Sequence, residues 1–182
     1  MATTKDRALD AALELVGEHG IRALTHVRVD ERAGLPKGST SNWFRTRDAL
    51  VAGVTTWIAE SERADFAAGG APEITTPEQL IDALSGFVTA QTTALAGRTR
   101  ARYSMFLEGM NDPKLLAPLL EQRAVYVEWT TALLASIGAA RPAEAARTLM
   151  AALDGLAFHR LTIDPHAAVR PVVERSVRAC LT

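Results

Sequence analysis

The sequence predicts an all-α fold, and three observations carry that prediction. Apolar residues recur at spacings of three and four along almost the whole chain, which is the period of one helix face. Alternating runs of β-branched residues, the usual pattern of half-buried strands, are missing. Threonines and prolines that can start helices, and glycines that can end them, divide the chain into about nine helices.

The first two helices have recognisable ends. Thr3 can cap the first helix, because Asp6 follows three residues later in a capping-box arrangement. Gly20 suits the left-handed residue that commonly ends a helix. A second helix is predicted to begin after Thr25 and to end at Gly34.

The third helix is predicted to be short, and a longer fourth helix follows at once. The third starts at Pro36 or Lys37, since proline suits a first helical position, and ends at Phe44. Thr46 can cap the fourth helix, and Asp48 lies in its first turn, where a negative charge complements the helix dipole. Three short helices are therefore expected to lead into a longer one.

The later helices follow a boundary at residues 69–72, whose glycines and proline cannot lie inside a helix. Thr76, Pro77 and Gln79 restart helical structure as the cap, the first residue and the capping-box partner. Gly97 is expected to interrupt that helix. The remaining helices are predicted over a segment that ends near residue 109 and over residues 118–137, 142–161 and 170–181.

Composition and charge narrow the class of protein. The chain has 182 residues, of which 48% are hydrophobic, so it can bury a substantial core. No apolar run approaches the roughly 20 residues of a membrane helix, and the charged N-terminus does not match a signal peptide. The single cysteine, Cys180, excludes an internal disulfide, predicts a reducing cytoplasm and is expected to be a small, partly buried residue.

The net charge is −1, and the first 50 residues carry eight Lys or Arg against seven Asp or Glu. Nucleic-acid binding would therefore depend on where the charges lie. The segment "ERAGLPKGSTSNWFRTRDAL" still predicts a helix-turn-helix, because a tight glycine turn joins two short helices. The second helix carries small polar residues that suit base edges, and helix starts suit phosphates. The candidate DNA-binding residues are Thr25, Lys37, Gly38, Ser39, Thr40, Ser41, Asn42, Trp43 and Arg47.

The segment "ALTHVRVDERAGLPKGSTSNWFRTRDALV" resembles the DNA-binding region of the TetR (tetracycline repressor-type) transcriptional regulators. Two departures stand out. Thr40 and Ser41 replace a bulky apolar residue followed by tyrosine, and Trp43 stands where tyrosine or histidine is frequent; these changes bear on which bases and phosphates are contacted. The matching positions are Thr25, Ala33, Gly34, Leu35, Lys37, Gly38, Phe44, Thr46, Arg47, Asp48 and Leu50.

The resemblance implies a three-helix DNA-binding head, residues 1–47, joined by the fourth helix to a ligand-binding and dimerisation body, residues 48–182. It implies a homodimer that pairs through its last two long helices and places two recognition helices about 34–36 Å apart on a pseudo-palindromic double-stranded DNA operator. No cofactor and no membrane are expected. The candidate interface residues are Leu149, Ala152, Leu153, Leu156, His159, Val173 and Val177.

The resemblance also implies a small-molecule pocket in the body, with an apolar or aromatic effector that releases a repressor from DNA. Plain core packing is the alternative for each single aromatic residue. Methionine and aromatic side chains make adaptable apolar walls, and a glutamine can orient a ligand. The candidate pocket residues are Trp57, Phe87, Gln91, Tyr103, Phe106, Met110, Trp129, Met150 and Phe158.

Two other readings stay open. One is a DNA-binding regulator without a small-molecule effector, and the other is an all-helical enzyme or carrier. No nucleophile elbow, phosphate loop or zinc motif supports an enzyme. A metal site is not expected, because Asp154, His159, Asp164 and His166 have spacings that do not share one helix face.

Overall fold

The computed structural model describes residues 3–69 and 74–181. Within these residues the chain forms nine α-helices and two short 3₁₀ turns, and it has no strand. The all-α prediction is confirmed. Residues 70–72 of the predicted boundary lie outside the described residues. The helices are α1 (Thr4–His19), α2 (His26–Ala33), α3 (Ser39–Trp43), α4 (Arg47–Ala68), α5 (Pro77–Thr92), α6 (Ala96–Glu108), α7 (Pro113–Ser136), α8 (Pro142–Thr162) and α9 (Val169–Ala179).

The predicted ends of α1 and α2 are largely confirmed. The Thr3 backbone N–H donates to Asp6 Oδ2 at 2.8 Å, and the Thr3 hydroxyl oxygen accepts from the Asp6 N–H at 3.1 Å, which completes the capping box. Thr25 caps α2, and Gly34 ends it in the left-handed conformation, with φ 62° and ψ 40°. Gly20 also has positive φ, 76°, but its ψ of 173° is extended, so α1 does not end in the predicted left-handed turn.

Helix α3 starts at Ser39, later than predicted. Gly38 has a φ of 91°, a conformation that excludes it from a right-handed helix and that glycine adopts without strain. Pro36 and Lys37 therefore belong to the turn before α3, and the Pro36 carbonyl accepts from the Ser39 N–H at 3.1 Å. The exposed helical surface is shorter by about one turn as a result.

Helix α7 starts earlier than predicted, at Pro113, and contains Pro118 in its interior. The Asp112 carboxylate accepts from the backbone N–H groups of Lys114 and Leu115, at 3.1 and 3.3 Å, and so caps the helix start. Pro118 removes one backbone donor near that start, and the helix continues on both sides of it. Gly97 likewise lies inside α6, and the predicted break falls before it, at residues 93–95.

The chain divides into two compact units, each with its own apolar core. The first contains the described residues up to Gly69 together with Gly97–Gln122, and the second contains the described residues 74–96 and 123–181. No helix within the described residues has the length and apolar character of a membrane span. The first core includes Leu9, Val16, Leu24, Val29, Leu50, Val54, Ile58 and Met105, and the second includes Leu80, Ile81, Leu84, Leu134, Leu149, Leu153, Val173 and Val177.

In the first unit α1 approaches the start of α6 so closely that only glycine fits at position 17. A Cβ atom on Gly17 would lie 2.8 Å from the Gly97 carbonyl carbon and closer still to its oxygen. We expect Gly17→Ala to lower the free energy of unfolding by about 1–3 kcal/mol, because backbone cannot move aside cheaply. Urea denaturation measures this. Gly97→Ala is the matched control, since its Cβ meets no described atom within 4 Å, and equal losses in both variants would contradict the prediction.

Candidate nucleic-acid interface

The helix-turn-helix consists of α2, the turn at residues 34–38, and α3. The Asp30 carbonyl accepts from the Leu35 N–H at 2.8 Å, which closes the turn directly after the left-handed Gly34. Beneath the turn, Val29 and Phe44 are buried in the first core. Local sequence therefore sets the turn, and core packing holds α2 and the end of α3 against it.

The Asp30 side chain is buried, with 3% of its surface exposed, and it binds the start of α3. Its Oδ2 accepts from the Gly38 N–H at 2.7 Å, and its Oδ1 accepts from the Thr40 N–H at 2.8 Å and the Thr40 hydroxyl at 2.5 Å. Burial would raise the pKa of Asp30, but these hydrogen bonds and the neighbouring His26 outweigh it, so the pKa lies below its ordinary value. Asp30 is ionised at neutral pH.

Thr40 is a correction to the predicted base-reading surface. Its side chain is fully buried, because its hydroxyl donates to Asp30 and its methyl group faces inward with it. Thr40 therefore cannot touch a thymine methyl without unfolding α3. The Ser39 hydroxyl already has a partner within the chain, because it donates to the Pro36 carbonyl at 2.6 Å.

Other candidates do lie on the surface. Ser41 and Asn42 are exposed on α3, Trp43 is 38% exposed beside them, and Lys37 is exposed in the turn. Thr25 is exposed as the cap of α2.

Arg47, at the first position of α4, is exposed but has partners within the chain. Its guanidinium lies 3.4 Å from the Glu108 carboxylate and donates to the Ile21 carbonyl at 3.3 Å. A phosphate would have to compete with both contacts for this side chain, and the carboxylate competes more strongly because it carries a full charge.

Phe44 anchors the end of α3. The ring is buried in the first core, and its carbonyl lies 2.6 Å from His26 Nε2, which donates to it. A Cβ atom on Gly53 of α4 would lie 2.9 Å from Phe44 Cζ and closer still to Cε1. The ring therefore rests directly on the α4 backbone, where only glycine leaves room for it.

The nine candidate pocket residues fall in both units. In the first unit, Trp57 and Phe106 pack partly against the core, and the Trp57 indole N–H donates to Asp10 Oδ1 at 2.8 Å. The Arg102 guanidinium lies 5.4 Å from the centre of the Tyr103 ring. Met110 is largely exposed, so its side chain lines no enclosed space formed by this unit.

In the second unit, Gln91 and Met150 are buried, and Trp129 packs partly against the core. Phe87 meets Tyr126 edge to face at 6.1 Å, and Phe158 is 49% exposed. A cavity of about 130 Å³ in this unit is lined by residues outside the candidate set. Its lining includes Cys180, which is partly buried as predicted. The pocket assignment stays a prediction.

The predicted dimer interface needs a correction. Helix α8 packs against α5 and α9 of its own chain, so its apolar stripe fills the second core and does not face a partner. Ala152 and His159 are partly exposed and stay candidates. The residues buried in the chain's own core are Leu149, Leu153, Leu156, Val173 and Val177.

Comparison with known proteins decides the family. Residues 75–182 match the family described as the tetracyclin repressor-like C-terminal domain, which covers more than half of the chain. The chain belongs to the TetR family. The TetR-type resemblance of residues 23–51 is thereby confirmed by an independent match over the C-terminal part, and TetR-family proteins are DNA-binding transcriptional regulators that are generally not enzymes.

Solved TetR-type structures resemble the chain over its whole length. A TetR-family member from Streptomyces coelicolor A3 is 26% identical over 98% of each chain, with a TM-score of 0.75. The multidrug binding protein EbrR, in complex with ethidium, is 25% identical over 99% of each chain, with a TM-score of 0.72. A transcriptional regulator from Rhodococcus sp. Rha1 has a TM-score of 0.81 over 98% of this chain and 96% of its own, and its 19% identity shows the fold alone. No curated protein matches the sequence.

Sequence interpretation does not identify three residues that shape the helix-turn-helix: His26, Asp30 and Gly53. Asp30 did carry a signal, because an acidic residue in the last half of a short helix opposes the helix dipole unless it has a partner. His26 and Gly53 carried none, since their roles depend on Phe44, which is distant from both in the chain. Among the described residues, no group of three or more His, Cys, Asp or Glu side chains could hold a metal ion.

Proposed function

We propose that this chain is a homodimeric transcriptional repressor that binds a pseudo-palindromic operator through α3 and is released by a small apolar or aromatic ligand. One observation carries the DNA-binding part of the proposal. A short helix, held rigidly from behind, presents Ser41, Asn42 and Trp43 to solvent, with Lys37 at its rim. Asparagine can pair with adenine through two hydrogen bonds, and a lysine at the rim can contact phosphate.

The proposed division of labour assigns residues 1–47 to DNA binding and residues 48–182 to ligand binding and dimerisation. For the dimer we propose the exposed face of α8 and α9 in place of the buried one. Ala151 and Gly155 are exposed and small on α8, Phe158 is exposed one turn later, and Val172 is exposed on α9. Small residues allow two helices to approach closely, and the apolar side chains would supply burial on association.

The proposed release mechanism uses α4, which begins three residues after Phe44 and carries Gly53 against the Phe44 ring. Helix α4 is tied to α6 by an ion pair between Glu62, which is buried, and Arg102, with Oε1 and Nη1 3.2 Å apart. Burial raises the pKa of Glu62 despite the nearby arginines. A ligand that displaces α6 would therefore move α4 and the end of α3 together, provided that it binds one arrangement better than the other.

Operator binding is tested with a labelled duplex, taken as the tightest sequence from a random-sequence selection with the wild-type protein. We expect Asn42→Ala to weaken binding to this duplex by about 5- to 150-fold, because it removes one bidentate base contact. Lys37→Ala should weaken all duplexes alike and reduce the salt dependence by about one counterion. Fluorescence anisotropy at about 0.15 M salt measures both effects.

The chain offers matched controls for these variants. Asn111 and Lys114 are exposed, and they belong to the segment that joins α6 to α7 and to the start of α7, not to the helix-turn-helix. Asn111→Ala and Lys114→Ala should leave duplex affinity unchanged within about twofold. If the wild-type protein selects no sequence, or if the control and test variants weaken binding equally, α3 is not the DNA-reading element.

The ligand part of the proposal rests on the aromatic and methionine side chains and on EbrR, which binds ethidium. Ethidium intercalates in DNA, so tetraphenylphosphonium, an aromatic cation without a flat ring system, is the better probe. We expect saturating tetraphenylphosphonium to weaken duplex binding by about 5- to 150-fold, the usual range of allosteric coupling. A protein that binds its duplex equally with and without the cation would favour a regulator that does not respond to this class of ligand.

A further inference from the structure

Helix α3 is too short to hold its own shape. It has five residues, fewer than two turns, and isolated helices of this length do not form in water. Its conformation must therefore come from neighbouring groups. Two side chains of α2, His26 and Asp30, lie four residues apart and so on one face of that helix, and each reaches a different end of α3.

Asp30 holds the start of α3. One carboxylate oxygen accepts from the Gly38 N–H and the other from both the N–H and the hydroxyl of Thr40, so three donors converge on one buried charge. A buried carboxylate is costly unless such donors satisfy it. A negative charge at a helix start also complements the unpaired N–H groups there. The position of Gly38 and Thr40 is therefore tied to Asp30.

His26 holds the end of α3. Its Nε2 lies 2.6 Å from the Phe44 carbonyl, and a carbonyl only accepts, so Nε2 carries the hydrogen. The Phe44 N–H in turn donates to the Thr40 carbonyl at 2.9 Å. The carbonyl that would otherwise be left unsatisfied at the helix end thus has a fixed partner on α2.

We propose that His26 and Asp30 are positioning residues for operator recognition. Together they fix both ends of α3 against one face of α2 and so determine where Ser41 and Asn42 meet the bases. The inference rests on the proposed function, because it assumes that α3 reads DNA. Base contacts require donors and acceptors to be placed within a few tenths of an ångström, so a loosened α3 would lose sequence discrimination before it loses attraction to phosphates.

The rest of the helix-turn-helix does not depend on these two side chains. Helix α2 is also held to α1, where Arg32 pairs with Glu14 and Glu18 at 3.3 and 2.8 Å and Arg7 donates to the Ala33 carbonyl at 2.7 Å. Removal of the Asp30 contacts should therefore free α3 locally and leave α1 and α2 packed. This separates a positioning role from a general contribution to folding.

The experiment uses two sets of variants of the full chain. Asp30→Leu/Thr40→Val removes the carboxylate and the hydroxyl and keeps the number of side-chain heavy atoms, and it leaves the backbone N–H groups of Gly38 and Thr40 without their acceptor, so that the start of α3 is no longer held. His26→Leu removes the donor to Phe44, whereas His26→Gln keeps an N–H donor at the position of Nε2. Thr55→Val is the matched control, because Thr55 is fully buried on α4 and its hydroxyl donates only to the Val51 carbonyl of its own helix among the bonds described.

Anisotropy with the selected duplex and with a scrambled duplex gives the first readout. We expect Asp30→Leu/Thr40→Val and His26→Leu to weaken binding to the selected duplex by about 10- to 100-fold and to leave scrambled-duplex binding within about threefold. His26→Gln should restore most of the loss, and Thr55→Val should bind as the wild type does. Amide hydrogen exchange by NMR gives the second readout, with faster exchange at residues 38–44 and unchanged exchange in α1.

Each outcome has one meaning. Selective loss on the selected duplex, together with faster exchange confined to α3, supports the positioning role. A wild type that selects a sequence while the variants bind it equally well overturns this inference and leaves the proposed function standing. If Thr55→Val loses as much affinity for the selected duplex as the test variants do, or if amide exchange is faster throughout α1 and α2, the effect is general destabilisation. Either result also overturns this inference. A wild type that selects no sequence overturns the proposed function and this inference with it.

Discussion

Gly53→Ala is expected to lower the free energy of unfolding by about 1–3 kcal/mol and to weaken operator binding, although residue 53 faces Phe44 and not the DNA. The added methyl group would overlap the Phe44 ring, which is buried in the first core and has little room to move. The ring ends α3 and its carbonyl is held by His26, so a displaced ring moves the end of the helix that carries Asn42.

Urea denaturation and anisotropy with the selected duplex measure the two effects. Gly86→Ala is the matched control, because Gly86 lies inside α5 with open space around its Cβ position. Alanine there should raise stability by up to about 1 kcal/mol through helix propensity. A smaller side chain at position 44 should relieve the overlap. The double variant Gly53→Ala/Phe44→Leu should therefore lose less free energy of unfolding than the sum of the two single variants' losses. Simple additivity would mean that the ring and the α4 backbone are not in contact.

Gly155→Trp is expected to weaken the proposed homodimer about 100-fold, which is about 2.7 kcal/mol of association free energy. The variant should then be largely monomeric. Gly155 is exposed on α8, and its Cβ position meets no described atom of its own chain within 4 Å. The indole can therefore extend from the folded chain without strain, but it would block a partner helix that approaches at this small residue. Operator binding should weaken with the dimer, since a monomer reaches only one half-site.

Sedimentation equilibrium gives the dissociation constant, and circular dichroism verifies that the helices remain. Gly86→Trp makes the same change on an exposed glycine of α5 and should leave the association unchanged. Two results would reject the proposed interface. One is a Gly155→Trp protein that stays dimeric with wild-type affinity, and the other is a wild-type protein that is monomeric at micromolar concentration.

The helix ends could be predicted because their causes are local. The capping box at Thr3 and Asp6 and the caps at Thr25 and Thr46 involve residues three positions apart, so the pattern that predicts each contact also contains both partners. The same holds for Thr76 and Gln79 at the start of α5. Gly20 and Pro118 are less predictable, because a glycine allows several backbone conformations and a proline, whose φ is fixed, can either start a helix or lie near the start of a longer one.

The site was only partly predictable, because periodicity marks a buried face without naming what covers it. Leu149 and Leu153 lie on an apolar stripe of α8, and nothing in that stripe separates a partner's helix from α5 and α9 of the same chain. Thr40 is predicted to be exposed for the opposite reason: it stands among polar residues on a short helix, and its buried partner Asp30 is ten positions away.

The sequence by itself determined the all-α class, the order of the helices, most helix ends and the TetR family, because caps, turns and an 11-position motif are short-range patterns that survive without coordinates. Only the tertiary structure decided which small polar residues remain free to face a ligand. Thr40 is buried and its hydroxyl donates to Asp30, and His26 donates to the Phe44 carbonyl. The Phe44 ring packs against Gly53, where a larger residue would overlap it. These are contacts between different helices, and helix periodicity specifies which face of a helix is buried but not which residues it meets there.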